Sequence, residues 1–146
     1  MIAAPLDMTD APIDAIWSAL TRLTDPEIPV ITLEEMGILR DVRLGHDGEP
    51  EVVITPTYSG CPAMGQIEDD VRAVLQQAHP QGRVITQLAP AWTTDWMSDA
   101  AREKLRAYGI APPRCTSEQA PGVLRFSRRA VAAQAIACPQ CGSHNT

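Results

Sequence analysis

Apolar residues at Ile13, Ile16, Trp17, Leu20 and Leu23 recur at spacings of three and four along an otherwise polar stretch. That period predicts an amphipathic helix with one buried stripe. Thr9 or Asp10 is placed to cap it, and Pro12 suits the first turn, where the absent N–H is no loss. Residues 1–11 read as a leader in front of this element. Pro26 and Pro29 end the helix at Thr24–Pro29, because proline clashes with the preceding turn and withholds a donor.

The period then changes. Val30–Ile31 is a short apolar step, and Thr32–Gly37 suits one capped turn with Glu34 and Glu35 near its positive end. Ile38–Leu44 alternates, which predicts a strand with one covered face. Gly45–Pro50, containing Asp47-Gly48, is a turn cluster, and Glu51–Thr55 reads as the return strand of a β-hairpin. After Thr57-Tyr58-Ser59-Gly60-Cys61-Pro62, the residues Ile67, Val71, Val74, Leu75 and Ala78 mark a second helix that ends at His79-Pro80. Arg83–Leu88 is a third strand, Pro90–Met97 is irregular, and Ser98 caps a last helix to Tyr108, closed by Gly109.

The order helix, hairpin, helix, strand, helix over residues 12–109 predicts an α/β (α+β) domain of two layers. A three-stranded sheet packed with about three helices accounts for every element. Residues 110–137 read as linker and tail: Ile110–Gly122 holds three prolines, and Val123–Ala137 stays open between helix and strand. Residues 138–146 carry a CxxC segment, a partial zinc knuckle.

Charge narrows the function classes. The chain has 146 residues and a net charge of −6, with 17 acids and eight bases before residue 109 and one acid and four arginines after it. An acidic body argues against a nucleic-acid partner, because phosphate neutralisation dominates that affinity. With three Trp, two Tyr and one Phe there is little material for a base-stacking platform. No apolar run approaches the roughly 20 residues of a membrane span, and Met1–Asp10 lacks the pattern of a secretory signal. A cytoplasmic protein with no membrane partner and reduced thiols is the expectation.

Four cysteines remain as candidate chemistry. Cys61 follows a strand and a Ser59-Gly60 step, with Pro62 suited to the first helical position. A thiol there meets unpaired N–H groups and the positive end of a helix, which favours thiolate, the form that binds soft metals. The alternative, a small apolar residue in a tight turn, stays open. Thr57, Ser59 and Tyr58 are placed to line the same pocket or to serve as turn residues. Asp25 and Glu27 form a rigid acidic loop that either caps local structure or edges the site. No histidine is positioned as a base: a helix over residues 62–79 is roughly 25 Å long at about 1.5 Å per residue, so His79 lies far from Cys61.

Cys138-Pro139-Gln140-Cys141-Gly142 has the spacing of a zinc knuckle, which is half of a tetrahedral site. Completion would need Cys115, His144, another subunit or residues after Thr146. Trp92 and Trp96 are candidates for either core or a partner surface.

Asp25-Pro26-Glu27-Ile28-Pro29, followed by Thr57–Ala63 with its central Cys61, resembles the Fe–S cluster assembly domain of SufT-like maturation proteins. Ile31–Gly37, Gln87–Asp99 with its Ala-Pro-Ala-Trp-Thr-Thr-Asp-Trp-Met core, and Cys-Pro-Gln-Cys-Gly-Ser resemble the PaaD family more narrowly. The resemblance runs from about residue 12 to the C-terminus. It implies an accessory protein of the phenylacetyl-CoA epoxidase system, which carries out ring 1,2-epoxidation in phenylacetate catabolism. The expected task is assembly or maturation of iron or Fe–S centres in the oxygenase or reductase subunits. Carried over by position, Cys61 is the candidate iron or cluster ligand, Asp25 and Glu27 are the acidic loop, and Cys138 and Cys141 are the first half of a zinc ribbon. Related chains continue to a second cysteine pair.

Three functions follow as expectations. A metallochaperone would use Cys61 together with a symmetry mate or a client, because a cluster generally needs four protein ligands. That form expects a homodimer with the Cys61 segments near one another. An adaptor would dock epoxidase components through the basic tail, Trp92 and Trp96 without handling metal. An enzyme in the strict sense lacks support, since the chain has no nucleotide-binding glycine loop, no carboxylate–histidine set and no Cys–His pair at workable spacing.

Overall fold

A computed structural model of the chain describes residues 13–114 and 136–145. The leader with its Thr9 or Asp10 cap, Cys115, most of the stretch from Val123, and Thr146 lie outside the described residues.

Helix α1 spans Ile13–Leu20, with Ile16 and Leu20 buried and Ile13 and Trp17 packed beside them. Strands β1 (Leu39–Leu44) and β2 (Pro50–Ile54) pair antiparallel, Val42 opposite Val52, with an irregular step between Leu39 and Asp41. The reversal closes through Gly45 N–H to the Glu49 carbonyl, and Gly48 takes φ +82°, a conformation glycine adopts without strain. Strand β3 (Arg83–Thr86) pairs parallel with β2. A parallel partner demands a crossover, and helix α2 (Met64–Ala78) supplies it. The sheet order is β1-β2-β3. Pro50 stands at the first position of the central strand, where its missing N–H costs no ladder bond.

Alternation decides the two faces of the sheet. Val42, Val52 and Ile54 meet Ile16 and Leu20 of α1 and Ile67, Val71 and Leu75 of α2 in the main core. On the opposite face Glu51 accepts from both Arg43 and Arg83, and Arg83 also pairs with Asp47. That face carries these ion pairs together with Val53, which is also buried.

Helix α3 (Asp99–Ala107) does not lie over the sheet. Its Ala101 and Leu105 join Ile31 and Met97 in a second core, against Ile28, Met36 and Trp92. The sequence expectation of a sheet packed by about three helices therefore resolves into two helices on the sheet and one on the α1–β1 connection. Ser98 caps it, and two polar ties to Glu35 hold it there. Ser98 Oγ accepts from Ala101 N–H at 3.1 Å, Ser98 N–H donates to the Glu35 carbonyl at 2.9 Å, and Lys104 Nζ reaches both Glu35 oxygens at 2.7 and 2.9 Å. Glu35 itself closes a capping box with Thr32, its carboxylate accepting from Thr32 N–H while Thr32 Oγ1 accepts from Glu35 N–H. The segment leading to α3 contains a cis Ala89–Pro90 bond and a 3-10 turn at Thr94–Trp96. Among the described residues no helix is long and apolar enough to cross a membrane.

Candidate functional site

Two loops build the site. The first is Asp25–Ile31, whose ends are closed by Asp25 N–H to the Ile31 carbonyl at 2.9 Å and by the Thr24–Thr32 bridge. Asp25 is 8 % exposed, and its Oδ1 accepts from Glu27 N–H at 2.8 Å and Ile28 N–H at 2.9 Å. This is an Asx turn, in which a short carboxylate substitutes for a backbone acceptor. Pro26 and Pro29 bring no N–H that needs a partner, so one carboxylate oxygen suffices to order the loop. Both of these hydrogen bonds end on Asp25 Oδ1.

The second loop leaves β2. Thr55 N–H donates to the Ile38 carbonyl, and the chain turns so that Cys61 N–H donates to the Tyr58 carbonyl and Met64 N–H to the Cys61 carbonyl. The expectation that Pro62 opens the helix is corrected here: α2 starts at Met64 with Ala63 as its N-cap, and Ala63 offers no side-chain acceptor. Cys61 thus sits in a turn before the helix, outside the first turn in which the macrodipole acts.

Between the loops lies a pocket of about 190 Å³ lined by Asp25, Glu27, Thr57 and Cys61. Its remaining walls are apolar or soft, with Ile28, Ile38 and Ile67 beside the thioethers of Met36 and Met64. Cys61 is half-buried. Asp25, Glu27, Thr57, Tyr58 and Cys61, five of the site candidates singled out from sequence, therefore share one pocket, although the acidic loop and the Cys61 loop stand far apart along the chain and meet only through folding. Ser59 is exposed and does not line it, while Tyr58 stands at the rim, 57 % exposed. Met36 and Met64 escaped sequence reading. The available signal was their place beside the two loops, Met36 in the turn that follows Thr32 and Met64 at the start of α2, three residues after Cys61.

The described lining holds two carboxylates and one thiol, and no lysine, arginine or histidine. Such a pocket favours a cation over an anion and offers no base for a Cys–His mechanism. His79 is buried at the far end of α2, where it forms the C-cap, and His46 is exposed in the hairpin turn. Among the described residues no three His, Cys, Asp or Glu side chains are grouped to hold a metal ion. A metal bound at Cys61 would therefore take part of its ligands from elsewhere.

The CxxC segment is a separate feature. Cys138 N–H donates to the Ser143 carbonyl at 2.8 Å, Gly142 N–H returns to the Cys138 carbonyl at 2.8 Å, and Gly142 takes φ +72°. The backbone N–H of Cys141, then that of Gln140, hold the Cys138 thiol below its usual pKa. The turn therefore suits a thiolate at Cys138, but Cys138 and Cys141 supply only two ligands, and His144 does not complete a set of three. The described residues do not fit a closed four-ligand zinc site.

Trp92 and Trp96, the candidate partner surface, are half-buried and engaged within the domain. Trp92 Nε1 donates to the Met36 carbonyl at 2.9 Å, and the Arg40 guanidinium lies 3.6 Å over the Trp96 ring.

The profile of the family described as iron–sulfur cluster assembly protein matches residues 13–86. The chain is 41 % identical over 136 residues to an Escherichia coli protein provisionally named as a component of 1,2-phenylacetyl-CoA epoxidase, covering 90 % of this chain and 73 % of that one. It is 35 % identical over 88 residues to an Fe–S protein maturation auxiliary factor of Porphyromonas gingivalis, covering 59 % and 83 %. A solved structure of a domain of unknown function from Bacillus anthracis superposes with a TM-score of 0.57 at 27 % identity, covering 64 % of this chain and 90 % of that one.

Proposed function

Since the chain belongs to the iron–sulfur cluster assembly protein family, we propose that it is an accessory factor for iron or Fe–S centres of the phenylacetyl-CoA epoxidase system. The clients are the oxygenase or reductase components, and the protein acts in the cytoplasm. Support for the client comes from the similarity to the Escherichia coli epoxidase component, and support for the task from the maturation factor.

One observation carries the reading: a half-buried thiol shares a small pocket with two carboxylates and no positive group among its described lining. Iron, alone or as a cluster, is the cargo, and the Cys61 thiolate is the atom that contacts it. Asp25 is held by two main-chain donors and lends its carboxylate to the wall around the cargo. Met36, Met64 and the isoleucines exclude water from one side. A cluster generally needs four protein ligands, so the others come from a second copy of the chain or from the client. A homodimer with its Cys61 loops adjacent fits that need. Sharing of ligands suits release, because a client replaces one set of ligands with its own.

The test is anaerobic purification of wild type and Cys61→Ser, with iron, sulfide and zinc measured per chain. Iron and sulfide present in wild type and lost in Cys61→Ser support the reading. Zinc alone in both proteins would remove Cys61 from the account and favour an adaptor that docks epoxidase components without handling iron.

A further inference from the structure

A second cavity lies away from Cys61, between α3, the segment Ala111–Arg114 and the CxxC turn, and measures about 740 Å³. We propose that it binds a diphosphate-bearing ligand of the nucleotide class. This inference stands apart from the reading of Cys61.

Charge is the first argument. Arg102, Arg106 and Arg114 line the cavity, and no carboxylate is among its described lining residues. The chain as a whole is acidic, at −6, so three arginines along one cavity are a local concentration of the opposite sign. Anchoring is the second argument. Arg102 donates to the carbonyls of Pro113 and Thr94, and Thr94 Oγ1 donates to the Arg114 carbonyl at 2.8 Å. These bonds join α3, the 3-10 turn and the proline segment into one wall. A backbone carbonyl satisfies an N–H without cancelling the charge, so Arg102 remains a cation toward the cavity. Arg106 pairs with Glu103, which is exposed and outside the lining.

Size and surface are the third argument. The volume falls in the range of about 300–1,000 Å³ typical of small-molecule sites, and inorganic diphosphate would fill a minor part of it. Pro112, Pro113 and Pro139 add rigid apolar surface beside the guanidinium groups. A flat ring linked to two phosphates uses both kinds of wall, with arginine matching phosphate oxygens in bidentate fashion.

The experiment titrates the full chain with ADP, adenosine and inorganic pyrophosphate separately, followed by amide chemical shifts. The expected result is that ADP moves the amides of Ala111, Arg114, Cys138 and Gly142 while those of Cys61 and Asp25 stay fixed. Binding should weaken with added salt and fall about tenfold or more in Arg106→Gln and in Arg114→Gln. Arg72→Gln, on the outer face of α2, should bind as wild type does, and Arg114→Lys should recover part of the loss. Four results would each overturn the proposal: no shifts at millimolar ADP, shifts confined to the Cys61 pocket, adenosine or pyrophosphate binding as tightly as ADP, or unchanged affinity in both glutamine variants. The salt dependence is read on wild type, so a variant that unfolds does not remove the test.

Discussion

Replacing Asp25 with alanine removes the acceptor of two main-chain N–H groups, those of Glu27 and Ile28, from a residue 8 % exposed. A hydrogen bond to a charged group contributes about 1.5–3 kcal/mol and a neutral one about 0.5–1.5 kcal/mol. Glu27 is exposed, so water replaces most of its lost bond, whereas Ile28 is half-buried against the second core. The sum is about 2–4 kcal/mol, a large share of a typical stability of about 5–15 kcal/mol. At a urea slope of about 2 kcal/mol/M, mid-range for a small domain, the midpoint should fall by about 1–2 M. Asp25→Asn keeps a carbonyl oxygen in the Oδ1 position, so its loss should stay near 1 kcal/mol or below. The assay is urea unfolding followed by the fluorescence of Trp17, Trp92 and Trp96. The same loop walls the Cys61 pocket, so alkylation of Cys61, read by peptide mass, should quicken in Asp25→Ala and stay near wild type in Asp25→Asn. Midpoints of the two variants that coincide, or an Asp25→Ala shift below about 0.3 M, would refute the idea that Oδ1 organises the loop.

Gly37→Ala should destabilise by about 3 kcal/mol or more, because φ is +76° and a Cβ would approach Trp96 Cβ and its carbonyl oxygen to 2.7 Å; urea unfolding measures it. Ser98→Ala should cost about 1 kcal/mol through loss of the α3 cap, with a smaller loss for Ser98→Asp. Burial alone would raise the Glu35 carboxyl, but Lys104 and the amide and hydroxyl of Thr32 outweigh it and hold it below its ordinary value of 4.5. A depressed carboxyl contributes stability above its unfolded pKa and loses it as pH falls through the folded value. The stability gap between wild type and Lys104→Met should therefore be full at pH 6 and shrink below pH 4.5, as followed by urea midpoints across pH. Asp47, held at about 2 by Arg83, follows the same sign at lower pH.

Elements whose period is local were legible in the sequence. The stripe Ile13, Ile16, Trp17, Leu20 and the run Ile67, Val71, Leu75 each report their helix directly, since 3.6-residue spacing fixes which face is buried. The hairpin was legible because Asp47-Gly48 marks its reversal, and the α3 cap because Ser98 precedes a polar helix. The start of α2 was misplaced, since Pro62 satisfies the rule for a first turn equally well when it lies in a turn ahead of the helix. The parallel pairing of β3 with β2 and the seat of α3 on the α1–β1 connection depend on contacts distant in sequence, which no local period encodes. The candidate site was half legible. Asp25, Glu27, Thr57 and Cys61 stood out by chemistry, and folding gathers them in one pocket, but Met36 and Met64 look like ordinary apolar residues until the loops close around them. The tryptophans were open between core and surface, and their bonds to Met36 and Arg40 engage both inside the domain.

The central claim is that Cys61, not the CxxC pair, contacts iron. Anaerobic reconstitution with ferrous iron and sulfide, run side by side on wild type, Cys61→Ser and the double variant Cys138→Ser/Cys141→Ser, tests it most directly. Iron and sulfide per chain should be lost in Cys61→Ser and retained in the double variant. Retention in Cys61→Ser with loss in the double variant would contradict the account and move the cargo to the C-terminal turn.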